Sequence, residues 1–488
     1  LFFLNKDEGD FNRFEFRDPG PMDLYRFDCE KKEAVKVTER VRLYRLSADG
    51  KKVMFGRRRF IAIADATAKE TKGEKVDLDD VVMRIDPIRE WRQIFNEAWR
   101  MERDFYYEPK MHGLDWDAMR AKYKPLLESA SCRQDVQYVI GELIGELATS
   151  HTYVFGGDIR RDNDYHVGVG LLGIDWEADR KAGRYRITKV YREPDWSRET
   201  APPLARPGID VEAGEYLLAV NGEEITTERN LYSWFVGLAR EQVTILVNDG
   251  PTMKGAREYT VEPASNEYVF RHNDWLEHNR ALVDEASNGE IGYLYFPDTY
   301  LGSCREFGRF YYGQMRKKGL VVDARFNGGG LDPAIFLNRL AKDPLGFWTR
   351  RYSHDQTNPA TITMAHLACL TNRQAGSGGD MFPMEFQMMK LGPVIGTRTW
   401  GGLVGVSQWI PLIDGGGLSA PDYRIYSPDG KWVVENEGVT PDIIVDLDPV
   451  EMSRGHDAQL MKAIEVLEEK IENDPRPWPQ HPPYPKQR

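Results

Sequence analysis

Val321-Val322-Asp323-Ala324-Arg325-Phe326-Asn327-Gly328-Gly329-Gly330 joins a short apolar run to three consecutive glycines. Its first part, with Leu320 ahead of it, has the length and composition of a strand hidden inside a sheet, and the glycines mark a loop at the strand's end. Strand and helix alternate on both sides of it. Ile291 to Phe296 reads as a strand, Arg305 to Lys318 as a helix and Pro333 to Ala341 as another; the pattern continues through Thr361 to Leu370, a helix after Ser377, and Val394-Ile395-Gly396. This predicts a layered α/β domain over residues 264–474, with its functional groups on loops at strand ends.

One of those loops carries Gly376-Ser377-Gly378-Gly379. A serine between glycines at a strand-to-helix junction allows a turn sharp enough to present a nucleophile. A serine hydroxyl is a poor nucleophile near neutral pH, so a base must remove its proton and donors must meet the oxyanion that forms. Gly378 supplies the amide that follows the serine, and the glycine run supplies a second, at Gly330. Asn327 to Gly330 lacks the spacing and the following lysine of a nucleotide loop. Among the nine histidines, His151 sits where a base is wanted, just beyond a helical segment and beside Ser150. Taken alone, a histidine at a helix end is more often a cap or a surface group.

The whole chain sets the outer limits. At 488 residues it is too long for one hydrophobic core, so about three domains are expected. With 41% hydrophobic and 29% charged residues it has the composition of a water-soluble protein, and no stretch approaches a membrane span. A net charge of -12 argues against a nucleic-acid partner. Lys51-Lys52 and Arg57-Arg58-Arg59 read as solvated surface. Cys29, Cys132, Cys304 and Cys369 share no metal-binding or disulfide spacing, which fits a reducing, cytoplasmic setting. No metal and no cofactor are predicted. The chain opens at Leu1 with no charged and apolar leader, which predicts a natural start further upstream.

Residues 1–80 read as short strands at Phe14-Glu15-Phe16, Asp23 to Phe27, Val41 to Leu46 and Lys52 to Phe55, punctuated by Pro19-Gly20 and Asp49-Gly50. Over 81–160 the period turns helical: Val136, Val139, Ile140, Leu143, Ile144 and Leu147 form one apolar stripe, and the last helix is expected to run straight into Ser150. Residues 161–263 return to short strands. Val167 to Ile174, and Gly214 to Gly222 with its hairpin turn, look like a PDZ domain, a module that takes up an extended peptide along a sheet edge; a purely structural β insertion is the alternative. Residues 475–488 form a proline-rich, extended tail.

This order of parts, from Ser150-His151 through the PDZ-like insertion to Asn327-Gly328-Gly329-Gly330, Ser377 and Glu435-Asn436, resembles the C-terminal half of the tricorn protease family. Its crotonase-like core is shared with the C-terminal-processing peptidases. The resemblance covers nearly the whole chain and implies a multidomain α+β fold: the end of a β-propeller, a helical bundle, a PDZ-like β domain and a crotonase-like α/β core. It also implies a serine endopeptidase acting on oligopeptides, with Ser377 as nucleophile, His151 as base, and Ser150 and Glu435 as supporting groups. A ring-like homo-oligomer, a hexamer, is implied too. C-terminal-processing peptidases place a lysine base in a Thr-Phe-Gly-Lys-Gly pattern; the matching stretch here, Thr399-Trp400-Gly401-Gly402-Leu403, has glycine in its place.

Two geometric conditions follow. Neighbouring Ser150 and His151 would face opposite sides of a strand, so both reach one site only if the chain turns there. Glu435 and Glu437 would share one side, and the family pattern, acid before asparagine, selects Glu435. Family members often carry an acid where Gly378 stands, so substrate preference is expected to differ. Asp332 and Asp380 are candidates for a pocket acid by proximity alone, since the loop from Asp343 to Pro359 aligns with nothing. A neutral His151 predicts activity rising through roughly pH 6 to 7. A catalytically silent peptide-binding scaffold and an acyl-CoA enzyme of crotonase type are the competing functions.

Overall fold

A computed structural model describes residues 1–5, 22–57, 60–159, 167–192, 201–407 and 409–486. The chain forms two units, Leu1–Arg92 and Gln93–Arg488. In the first, Phe2–Asn5, Met22–Asp28 and Glu33–Val41 make a three-stranded antiparallel sheet; Leu43–Leu46, Lys52–Arg57, Phe60–Asp65 and Glu74–Lys75 make a four-stranded one. Leu24, Val37, Val41, Val53, Phe55 and Ala62 form their buried core. A four-stranded antiparallel sheet is the unit from which propellers are built, and the segment is consistent with the end of one. The strand expected at Phe14-Glu15-Phe16 and the turn at Pro19-Gly20 lie outside the described residues.

Helix α1 (Pro87–Phe105) begins with proline in the first turn, where its missing amide costs nothing. It leads to α2 (Trp116–Tyr123), capped by Asp115, which accepts from the Ala118 amide at 2.9 Å, and to α3 (Arg133–Gly145). The stripe from Val136 to Leu147 is buried throughout. However, α3 stops at Gly145 instead of running into Ser150, and Ala148 then takes a φ of 49°. Strand Tyr153–Gly156 follows and pairs antiparallel with Gly416–Ser419 from far along the chain. A buried ion pair backs that pairing: Arg133 Nε stands 2.5 Å from Asp414 Oδ2, with both side chains 2% exposed.

The next sheet has the order Arg257–Val261, Val243–Asn248, Tyr216–Val220, Arg184–Val190, Ile174–Asp179, and Glu223–Glu224 pairs with Tyr216–Val220. Asn221 and Gly222, with φ of 47° and 81°, make the expected hairpin turn. The last domain is a parallel sheet ordered Ile291–Tyr295, Gly319–Asp323, His366–Thr371, Val394–Gly396, Ile443–Ile444. Its first four strands are buried on both faces, and the edge strand Ile443–Ile444 is partly exposed. Helices α5 (Leu301–Gln314), α6 (Ala334–Leu340) and α7 (Gly378–Met388) cover Leu294, Leu320 and Val322 on one side. On the other, α4 (Tyr268–Ala286) and the C-terminal helix Ala458–Asn473 cover Tyr293, Val321 and Leu370. Beneath the glycine loop Arg325, 1% exposed, is held by Asp323 and Asp457, each at 2.7 Å. The described residues beyond Asn473, 474–486, have no regular structure, and Trp478 lies against Phe347 at 5.3 Å and Arg316 at 4.0 Å. No helix among the described residues is long and apolar enough to cross a membrane.

Candidate active site

Ser377 closes the loop after strand His366–Thr371 and caps α7 with φ 58° and ψ -120°, a backbone strained for any residue but glycine. Close packing of backbone holds it there. Its amide donates to Gly402 O at 3.1 Å, and the amide of Gly376 donates to Asn327 O at 3.0 Å. A Cβ on Gly329 would lie 2.6 Å from the Ser377 Cβ, and one on Gly376 would lie 2.7 Å from the Trp400 ring, so neither position accepts a side chain. Asn327, fully buried, shapes the glycine run by donating to Phe296 O at 2.8 Å and accepting from the Gly329 amide at 2.9 Å.

His151 reaches this serine from the other side of the fold, Nε2 to Ser377 Oγ at 3.2 Å. The chain turns at the histidine itself, whose φ is 58°, and this directs the Ser150 and His151 side chains into one site. Ser150 Oγ lies 2.9 Å from His151 Nδ1 and 3.0 Å from Glu435 Oε2. Glu435, 4% exposed, also receives the Ser150 amide at 2.7 Å and the amides of Leu403 and Val404 at 2.7 and 2.9 Å. A carboxylate that collects four donors acts as an acceptor. The Ser150 hydroxyl therefore spends its hydrogen on Glu435 and accepts from Nδ1–H of the imidazole, which leaves Nε2 unprotonated and facing Ser377.

Glu437 plays no part in this chain of bonds: it is exposed, and its carbonyl accepts from Arg398. Val434 and Asn436 take φ of 70° and 66°, so the segment is a tight turn in which the two glutamates do not share a side. Asn436 locks that turn to the histidine segment, its Nδ2 donating to Ala148 O at 2.8 Å. Burial pushes the His151 pKa below its ordinary value, and the charges of Glu435 and Asp380 oppose that shift.

Gly330 and Gly378 lie close together. A Cβ added to Gly378 would stand 3.1 Å from the Gly330 nitrogen, and neither amide has a hydrogen-bond acceptor among the described residues. Two free amides beside Ser377 are suited to stabilise negative charge on a carbonyl oxygen. Asp380, expected as a candidate pocket acid, is fully buried and turned the other way: it accepts from the Thr399 hydroxyl and from the amides of Gly401 at 2.8 Å and Gly402 at 3.3 Å. Burial raises its pKa, against those bonds. It braces the loop that Ser377 leans on, and its signal in the sequence is its place three residues into the helix that the serine caps. Asp332 is exposed and caps the first turn of α6 through the Ala334 amide at 2.7 Å.

Trp400 leaves no room for a lysine at 402. A Cβ on Gly402 would enter the Trp400 ring, which lies over Gly376 and faces His151 at 5.8 Å. Tyr153, 6.0 Å from His151, and Trp409 and Phe155 extend this half-exposed aromatic wall away from the histidine. No sequence pattern announced it, because its members are far apart in the chain.

Family profiles match three segments: the tricorn protease C1 domain over residues 87–145, the tricorn protease PDZ domain over 170–266, and peptidase family S41 over 290–445. A tricorn protease homolog of Saccharolobus solfataricus is 32% identical over 454 residues, 92% of this chain and 41% of its own. The tricorn protease of Thermoplasma acidophilum is 30% identical over 475 residues, 97% of this chain and 44% of its own. A crystal structure of the tricorn protease superposes with a TM-score of 0.88 at 29% identity, covering 97% of this chain and 45% of that one. The chain spans about half the length of the curated relatives it matches.

Proposed function

Because the chain belongs to the tricorn protease family, within the S41 peptidases, we propose that it is a serine endopeptidase that hydrolyses oligopeptides through an acyl-enzyme. Ser377 attacks the scissile carbonyl carbon while His151 Nε2 takes the hydroxyl proton. The carbonyl electron pair moves onto oxygen and meets the amides of Gly330 and Gly378. As the tetrahedral intermediate collapses, the imidazolium returns the proton to the leaving amine. Water then repeats the sequence on the ester. Glu435, acting through Ser150, holds the ring in one tautomer and favours its transient charge. A Ser-Lys dyad is not an alternative here, since glycine stands at 402.

One observation carries the assignment: the directional chain of hydrogen bonds Glu435, Ser150, His151, Ser377, at 3.0, 2.9 and 3.2 Å. The aromatic wall beside His151 supports a substrate with apolar side chains near the cut. The proposed assembly is a homo-oligomer, a hexamer by the family resemblance, which sedimentation equilibrium tests. The four cysteines stand as free thiols, in support of a cytoplasmic setting.

A fluorophosphonate probe tests the chemistry. Peptide mapping is expected to find the adduct on Ser377 in the native protein and to lose it in His151→Ala. Folded, full-length protein that stays unlabelled, yet binds peptides with or without Ser377, would leave the silent scaffold as the function.

A further inference from the structure

Thr299 stands in the loop between strand Ile291–Tyr295 and α5, 1% exposed. Its backbone is fully used. The amide donates to Gly329 O at 2.9 Å and the carbonyl accepts from the Leu331 amide at 3.3 Å, a parallel bridge centred on Gly330. Such a bridge spends the groups of Gly329 and Leu331 on either side of Gly330 and leaves the Gly330 amide out of the pairing. The Thr299 hydroxyl, in contrast, has no hydrogen-bond partner among the described residues. A buried hydroxyl without a partner is costly, and where a fold retains one, a ligand or a reacting group is a natural claimant.

What the hydroxyl borders identifies that claimant. A Cβ on Gly378 would run into Thr299 Oγ1, and a Cβ on Gly330 would lie 3.2 Å from the same atom. Thr299 Oγ1 thus stands beside both glycines whose free amides flank the serine, in the volume that a side chain at 378 would fill. Gly378 opens the first turn of α7 without a positive φ, so backbone strain does not explain the glycine. Room for the hydroxyl does.

Resting on the peptidase mechanism proposed above, we infer that Thr299 is a catalytic residue whose hydroxyl donates a third hydrogen bond to the oxyanion. When Ser377 Oγ bonds to the scissile carbon, the π pair passes to the carbonyl oxygen and the serine proton to His151; Thr299 transfers no proton and contributes only its O–H dipole. With no competing acceptor, the hydroxyl turns to the developing charge without breaking a bond. The same contact accounts for a glycine after the nucleophile.

The test compares Thr299→Val, which keeps the shape and removes the hydroxyl, with Thr299→Ser, which keeps the hydroxyl, in the full chain. Turnover of a fluorogenic peptide gives kcat and KM. A peptidyl trifluoromethyl ketone, which forms a tetrahedral oxyanion on the serine, gives transition-state affinity. The valine variant is expected to lose roughly 10- to 100-fold in kcat and a matching factor in ketone affinity with KM unchanged, while serine stays within about threefold of the native enzyme. Melting curves check the folds; if Thr299→Val melts early, Thr299→Ala takes its place with the same expectation. Unchanged kcat in the hydroxyl-free variant, a kcat loss without a loss of ketone affinity, or a serine variant as impaired as valine would overturn the inference. Ser377→Ala separates the two levels. If it abolishes turnover while Thr299→Val does not alter it, this inference alone fails; if turnover survives Ser377→Ala, the peptidase mechanism fails with it.

Discussion

On the proposed mechanism His151 must be neutral at Nε2 to accept the serine proton, and two opposed effects set the pH at which it is. Desolvation holds its pKa below the ordinary imidazole value of about 6.5, and the charges of Glu435 and Asp380 pull it back up. The acid limb of kcat/KM is therefore expected below pH 6.5, with activity rising as pH climbs through it. Glu435→Gln removes a charge that raises the pKa, so its limb should move further toward acid while kcat falls roughly tenfold or more for want of the oriented tautomer. A pH profile of the pair checks both; a limb displaced toward alkaline pH would contradict the assigned role. At this scale the sharp turn at Ser377 between its glycines was legible, since Gly-Ser-Gly-Gly advertises its own geometry. The Ser150–His151 turn was not, because alanine and histidine are not turn residues and yet Ala148 and His151 both take positive φ. Glu435 and Glu437 looked alike for the same reason: nothing in a valine at 434 foretells a φ of 70°.

Between residues and domains, the segment from Thr399 to Val404 decides how the serine is held. Two carboxylates grip it: Asp380 takes the Thr399 hydroxyl and the Gly401 and Gly402 amides, and Glu435 takes the amides of Leu403 and Val404. Its Gly402 carbonyl in turn receives the Ser377 amide at 3.1 Å. Adding a methyl at Gly402 drives it into the Trp400 ring, so Gly402→Ala is expected to cost about 1–3 kcal/mol of stability and to slow fluorophosphonate labelling. Because the ring is the obstacle, Trp400→Ala in the same chain should restore much of that loss, a coupling that denaturant melts of the single and double variants would measure. Additive losses would show that the segment resents the methyl for another reason. The first four parallel strands were readable to within a few residues because a run buried on both faces carries its own signal; the fifth, Ile443–Ile444, is two residues long and partly exposed and carries none. The α5 boundary was not readable. Expected from Arg305 to Lys318, the helix spans Leu301–Gln314, because Asp298 accepts from the amides of Gly302 and Ser303 at 3.0 and 2.9 Å and starts it early.

Across the molecule, the site joins segments that the sequence holds far apart: Ser150 and Glu435 are separated by 285 positions, with the PDZ-like domain lying in the chain between His151 and Ser377. What brings them together is the pairing of Tyr153–Gly156 with Gly416–Ser419, anchored where Ser419 Oγ donates to His151 O at 2.6 Å, and the buried pair of Arg133 with Asp414. The Tyr107 amide adds a further tie, to Pro421 O at 2.8 Å. A pairing partner so remote in sequence leaves no local pattern, and for that reason family order, not periodicity, pointed to His151. All of these contacts belong to the unit Gln93–Arg488. A chain that begins at Asp86, and so keeps the whole of α1, should then retain both labelling of Ser377 and hydrolysis of a short fluorogenic peptide to within about threefold, since every donor, acceptor and strand named above is kept. Hydrolysis rates set beside circular dichroism of the shortened chain decide the matter. A folded but inactive product would mean that residues 1–85 act on the site, through access or through alignment of the histidine segment, and that the strand pairing and the buried ion pair do not suffice to hold His151 against Ser377.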